Sequence, residues 1–159
     1  MPTDGSDTAL VAALRAAGCV FAEDEARVLR EAAADDADLA RMLAARVAGA
    51  PLELVVGHAE FCGLSVAVAP GVFVPRQRTA ALVRVAAEGL RPGDVAVDLC
   101  CGTGAIGTAL LAAVPGLEVY AADIDPEAVA CARRNLPAER VFEGDLYEAL
   151  PNRLRGRIR

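Results

Sequence analysis

The sequence predicts an α/β fold, in which a helical N-terminal segment and a β-hairpin precede a parallel sheet. Three strand-like segments, 95–99, 118–123 and 141–146, alternate with segments of helical composition. A glycine turn with Gly102 and Gly104 joins the first of these strands to an alanine-rich helix. Strands that alternate with helices along the chain favour a parallel sheet with right-handed crossovers.

Three helices are predicted before the sheet, because apolar residues recur there at helical spacing. Asp7 is the predicted N-cap of the first helix and Gly18 its end, whereas residues 1–6 are predicted to be disordered. The apolar residues favour simple three-helix packing. The three predicted helices span 8–17, 23–34 and 36–48.

A β-hairpin is predicted to connect the helices to the sheet. Short strand-like segments surround Gly57 and Gly63, and a further helix is predicted over 79–89. The predicted strands of the connector are 54–56, 60–62 and 64–68. The predicted domains are therefore a helical domain over 1–50, a connector over 51–78 and a partial sheet domain over 79–159.

The glycine turn is suited to ligand binding. Gly102 and Gly104 permit positive φ and have no Cβ, so a ligand can approach the main chain at the start of the next helix. Gly102, Gly104 and Gly107 also match the dinucleotide-binding pattern, and Asp123 follows at the spacing of a ribose-binding acid. This spacing keeps a nicotinamide-dependent oxidoreductase open as one interpretation.

Asp98, four residues before Gly102, favours a different cofactor. The pattern Asp-x-x-x-Gly-x-Gly resembles the first motif of the S-adenosylmethionine-dependent methyltransferases, which have a Rossmann-like fold. The resemblance implies S-adenosyl-L-methionine as cofactor, with its methionine part against the turn formed by Cys100, Cys101, Gly102, Thr103 and Gly104. It also implies that Asp123 binds the ribose and that Asp145 and Leu146 lie at the adenine.

The segment before the sheet resembles the PrmC/HemK family of protein-(glutamine-N5) methyltransferases. Pro51-Leu52 is followed by Gly57, and Val74-Pro75-Arg76 comes later, in the order that this family shows. The resemblance implies an enzyme that methylates the glutamine in the Gly-Gly-Gln loop of a peptide-chain release factor. It further implies that the N-terminal helices form a substrate-docking domain.

The sequence departs from this family at several positions. Gln77, Arg78 and Ala80 stand in a segment that commonly contains acids, Cys100 replaces a glycine, and Leu146 replaces an aromatic residue. No Asn-Pro-Pro-Tyr motif occurs in the 159 residues. We therefore expect an N-terminal portion of a longer enzyme, with a partial cofactor site, unidentified catalytic residues and a tendency to self-associate through its incomplete sheet. A non-catalytic protein that binds the cofactor is the remaining alternative.

The composition excludes several other classes of site. All 16 basic residues are arginine, so the sequence has no P-loop or Schiff-base lysine, and His58 is the only histidine. We therefore predict no metal site. The five cysteines show neither a Cys-x-x-Cys spacing nor an even number, so they are predicted to be reduced thiols of a cytoplasmic protein. The apolar segments are too short or too interrupted for a membrane span, and the net charge of −6 disfavours nucleic acid, except at the arginine-rich residues 153–159.

Overall fold

A computed structural model describes residues 4–159, with side chains from residue 7 onward. Residues 1–3 lie outside the described part, so the predicted disorder of 1–6 can be compared only at 4–6, which are helical. The chain divides into two compact units, one of which ends at Gly57 while the other begins at His58. None of the described helices is long and apolar enough to cross a membrane.

The first unit is helical. Its core contains Leu10, Leu14, Leu29 and Met42, which are at most 5% exposed. Gly18 ends the first helix in a left-handed conformation, with φ of 89°. The helices are α1 (Asp4–Ala16), α2 (Ala22–Ala32), α3 (Asp36–Val47) and α4 (Leu52–Val56).

Besides the disorder predicted at residues 4–6, two predictions for this unit are wrong. The predicted strand 54–56 lies in α4, because the Pro51 carbonyl accepts the amides of Leu54 and Val55 and the valines pack on the helical core. Valine composition alone does not distinguish a short buried helix from a strand. The predicted N-cap Asp7 lies inside α1, where its carboxylate is 2.7 Å from Nε of Arg30.

The second unit contains a hairpin followed by alternating strands and helices. In the hairpin, Cys62 and Gly63 form the two-residue turn, with φ of 53° and 75°. A single turn of 3-10 helix, Gln77–Thr79, precedes α5. The elements are β1 (His58–Phe61), β2 (Leu64–Ala67), α5 (Ala80–Gly89), β3 (Val95–Leu99), α6 (Ala105–Ala113), β4 (Glu118–Asp123), α7 (Pro126–Ala132) and β5 (Val141–Glu143).

The central sheet is parallel, as the sequence predicts, with strand order β3-β4-β5. Asp98 pairs with Ala121, and Asp123 pairs with Glu143, so the acid-bearing carboxyl ends of the strands share one edge. Ile158 adds one parallel bridge to Val95 on the other side of β3. The predicted self-association through the sheet edges remains a prediction.

The core of the second unit lies between the sheet and its helices. Val119 and Val141 of the sheet and Val129 of α7 are each 1% exposed. Phe61 and Val66 of the hairpin are fully buried in the same cluster. The hairpin is therefore packed as part of the second unit, and the Glu60 carbonyl in β1 accepts a hydrogen bond from Gln77 Nε2, just before α5, at 2.6 Å.

A partly buried ion pair joins α2 to α3 in the first unit. Arg46 donates from Nε to Glu25 at 2.6 Å and from Nη2 at 3.0 Å. Their side chains are 22% and 14% exposed, and Arg46 holds the pKa of Glu25 below its usual range. Removal of one partner leaves a charge with little access to water.

We expect Glu25→Gln to lower the free energy of unfolding of the helical unit by about 1–3 kcal/mol, because Arg46 would lose its ionic partner. Urea unfolding followed by far-UV circular dichroism measures the change. Arg27→Ala is the matched control, since Arg27 and Glu31 form an exposed pair in the same unit and should contribute less than about 1 kcal/mol. Equal effects of the two substitutions would contradict the expectation.

Candidate functional site

The turn after β3 has a backbone that L-residues rarely adopt. Cys100, Gly102 and Gly104 have φ of 54°, 55° and 73°. A Cβ on Gly102 would meet nothing within 4 Å, whereas a Cβ on Gly104 would come within 2.9 Å of Leu136 Cδ1. The turn is therefore open at Gly102 and closely packed at Gly104.

Asp123, at the end of β4, fixes the open part of this turn. Its Oδ2 accepts the Gly102 amide at 2.9 Å, and its Oδ1 accepts the Asp125 amide at 3.0 Å. Asp125 is the residue that caps α7, because its carboxylate accepts the Glu127 amide at 2.9 Å. Asp123 thus links β4 to the turn, whereas Asp125 caps α7.

Asp98 links the other side of the turn to α6. Its carboxylate accepts the Gly107 amide at 2.9 Å and is buried, with 8% of the residue exposed. Burial, helped by the charge of Asp123 and opposed by the hydrogen bond from Gly107, raises the pKa of Asp98 to about 6. Gly107 packs closely as well, since a Cβ there would lie 3.1 Å from Val119 Cγ1.

The two cysteines of the turn differ in environment. Cys100 is exposed and Cys101 is buried. Burial raises the pKa of the Cys101 thiol to about 12, with smaller contributions from Asp98 and Asp123. Cys101 is therefore a neutral packing residue at physiological pH rather than a thiolate nucleophile.

Thr103 is held by a residue that the sequence analysis did not identify. It is 3% exposed, and its carbonyl accepts a hydrogen bond from Asn135 Nδ2 at 2.8 Å. Asn135 lies three residues beyond the end of α7. No local pattern marks it, because its partners are 32 and 68 residues away in the chain.

The segment after β5 approaches the same edge of the sheet. The Gly144 amide donates to the Asp123 carbonyl at 2.9 Å, so Asp145 and Leu146 follow directly from a contact with β4. Asp145 is exposed, and Leu146 is 49% exposed with φ of 45°. Ile124, which directly follows Asp123 at the end of β4 and was not singled out in the sequence, is 69% exposed.

We expect Gly102→Ala to lower the free energy of unfolding by about 1 kcal/mol, from left-handed backbone strain alone. Gly104→Ala should cost about 1–3 kcal/mol more, because its Cβ would also press on Leu136. Gly93→Ala is the matched control, since Gly93 also has positive φ and open space around it. Thermal unfolding measures all three variants, and Gly104→Ala as stable as Gly93→Ala would count against close packing there.

A family model and several curated proteins match this chain. The family is described as the methyltransferase small domain, and its model matches residues 63–154. A release factor glutamine methyltransferase of Streptomyces coelicolor is 40% identical over 123 residues, which cover 74% of this chain and 44% of the relative. One of Bifidobacterium longum is 39% identical over 99 residues, covering 60% of this chain and 34% of the relative.

A relative with a different named acceptor also matches. The 4-amino-L-phenylalanine/4-methylamino-L-phenylalanine methyltransferase of Streptomyces pristinaespiralis is 37% identical over 115 residues, covering 67% of this chain and 39% of the relative. The chain thus spans less than half the length of these relatives.

These matches confirm the resemblance to the PrmC/HemK family and the Rossmann-like α/β fold class. The matched residues 63–154 include the glycine turn, Asp98, Asp123 and most of the second unit. The chain therefore belongs to the methyltransferase small domain family.

Proposed function

We propose that the second unit binds S-adenosyl-L-methionine and that the protein methylates the glutamine side-chain amide of a peptide-chain release factor. The acceptor is inferred from the names of the release factor glutamine methyltransferases that match the chain. When bound, the cofactor supplies a methyl group on a sulfonium. The turn after β3 and the acids at the strand ends would bind and orient that cofactor.

The observation that carries the proposal is the pair of carboxylates on either side of the open turn. Asp123 contacts the turn through the Gly102 amide, and Asp98 lies at the end of the adjacent strand. Their negative charge favours a ligand with a sulfonium and an ammonium group and opposes a diphosphate. The fit therefore supports S-adenosylmethionine over a nicotinamide dinucleotide.

We assign the parts of the cofactor to the segments that follow β3, β4 and β5 in turn. Gly102 leaves open space for the methionine part beside Cys100, and Asp123 has spare lone pairs with which to accept ribose hydroxyls. Exposed apolar side chains at Ile124 and Leu146 offer surfaces for the adenine ring. The Asp145 carboxylate would accept a hydrogen bond from the adenine amino group.

A second acceptor class is supported by the Streptomyces pristinaespiralis relative, whose named substrates are aromatic amino acids with an amino substituent. An arylamine nitrogen, like an amide nitrogen, is a weak nucleophile that must be aligned with the methyl group. The exposed Arg78 differs in charge from the acid expected in this segment, which supports a different acceptor surface. Mass spectrometry of a release factor and of 4-amino-L-phenylalanine after incubation with the protein and cofactor would distinguish the two acceptors.

Calorimetric titration of the 159-residue chain with S-adenosylhomocysteine and, separately, with NAD tests the cofactor. We expect saturable binding of S-adenosylhomocysteine and none of NAD, because the paired carboxylates oppose a diphosphate. Asp123→Asn should weaken the binding, and Asp94→Asn, in the loop before β3, is the control that should not. Binding of NAD alone would overturn the proposal.

We expect the affinity for S-adenosylmethionine to decrease as the pH falls below about 6, because the cationic ligand favours the ionised Asp98. The limiting slope is about tenfold per pH unit for one proton. The stability of the unliganded protein changes with pH in the opposite direction, decreasing as the pH rises. Since the folded-state pKa is raised, Asp98 stabilises the fold more when protonated, and this contribution is lost as the pH rises through about 6.

Titrations between about pH 3.5 and pH 8 measure both effects, with ligand for the first and with urea for the second, because the pKa of Asp98 is raised from 3.8 to about 6 on folding. Asp98→Asn should remove the pH dependence of binding, whereas Glu88→Gln, at an exposed position on α5, should retain it. An unchanged pH profile in Asp98→Asn would assign the titration to another group.

A further inference from the structure

Asn135 joins three parts of the second unit through one side chain. Its Nδ2 donates to the carbonyl of Thr103 at 2.8 Å and to the carbonyl of Ala67 at 2.9 Å. Its Oδ1 accepts the amide of Ala67 at 2.8 Å. A primary amide has the two donors and the acceptor that these contacts need.

On the hairpin side, the Asn135 side chain makes the pair of backbone hydrogen bonds that a neighbouring strand would otherwise make. It satisfies both the amide and the carbonyl of Ala67, the last residue of β2. Cys131 Sγ also donates to the Ala67 carbonyl, at 3.5 Å, and Arg134 Nη1 donates to the Val68 carbonyl at 3.3 Å. The end of the hairpin is thus attached to α7 and the residues that follow it.

On the turn side, Asn135 fixes the peptide group between Thr103 and Gly104. The carbonyl of this peptide accepts from Asn135, and its amide donates to the Cys101 carbonyl at 2.7 Å. Thr108 Oγ1 donates to the carbonyls of both Gly104 and Asn135, at 2.8 and 3.2 Å. Left-handed backbone persists only where its surroundings hold it.

We propose that Asn135 is a positioning residue, which couples the end of the β1–β2 hairpin to the shape of the cofactor turn. The inference rests on the proposed cofactor site and adds the residue that holds the site in its binding conformation. Arg134 attaches the same hairpin without contacting the turn. A comparison of variants at Asn135 and Arg134 therefore distinguishes an effect on the stability of the hairpin from an effect on the geometry of the turn.

The test compares Asn135→Ala with Arg134→Ala in the full chain. We expect Asn135→Ala to weaken S-adenosylhomocysteine binding at least about tenfold, and Arg134→Ala to change it less than about twofold, where tenfold corresponds to about 1.4 kcal/mol. Thermal unfolding of both variants shows how much of the effect is general stability. Asn135→Ser is uncharged, keeps one hydroxyl donor and acceptor, and is too short to reach both Thr103 and Ala67, so it serves if Asn135→Ala does not fold.

Hydrogen exchange provides a readout that does not depend on the cofactor. The Gly104 amide should exchange faster in the Asn135 variants than in Arg134→Ala, because only the former release the Thr103 carbonyl. Folded Asn135 variants with wild-type affinity and wild-type exchange at Gly104 would overturn the inference. Absence of S-adenosylhomocysteine binding by the wild-type chain would instead refute the proposed cofactor, and the exchange data would still decide the role of Asn135.

Discussion

The second unit depends on a left-handed backbone being held in place at the end of β3. Cys100, Gly102 and Gly104 all have positive φ there, and one of them has a side chain. Such a conformation costs about 1–2 kcal/mol at a residue with a Cβ. Hydrogen bonds hold this backbone along the turn: the Cys101 amide donates to the Ala122 carbonyl, Asp123 accepts from the Gly102 amide, and Asn135 donates to the Thr103 carbonyl. The result is a hydrogen-bonded turn that is open at Gly102 and closely packed at Gly104.

The acids around this turn have structural and electrostatic roles at once. Asp98 secures α6 through the Gly107 amide, and Asp123 secures the turn and the start of α7. Because each carboxylate is satisfied by backbone amides, both can lie near one another at the edge of the sheet. Burial nevertheless raises the pKa of Asp98 to about 6. A cationic ligand would relieve that unfavourable concentration of negative charge.

Much of the fold could be predicted because its signals are local. The bounds of β3 and β4 follow from short apolar segments with an acid at or next to the carboxyl end, and α3 begins after Asp35, whose carboxylate accepts the Asp38 amide at 2.8 Å. Predictions failed where local composition was ambiguous. Val55 and Val56 have strand-like side chains, but packing against the helical core stabilises them in α4.

The sequence by itself determined the parallel sheet, the glycine turn and the acids at its strand ends, because each depends on residues adjacent in the chain. Only the tertiary structure decided which partners those residues have. Asn135 forms hydrogen bonds with Ala67 and Thr103, which are 68 and 32 residues away in the chain. The adjacent cysteines 100 and 101 differ only in that the fold buries the second and exposes the first. Long-range hydrogen bonds and desolvation arise when distant segments pack together, so no local pattern in the chain encodes them.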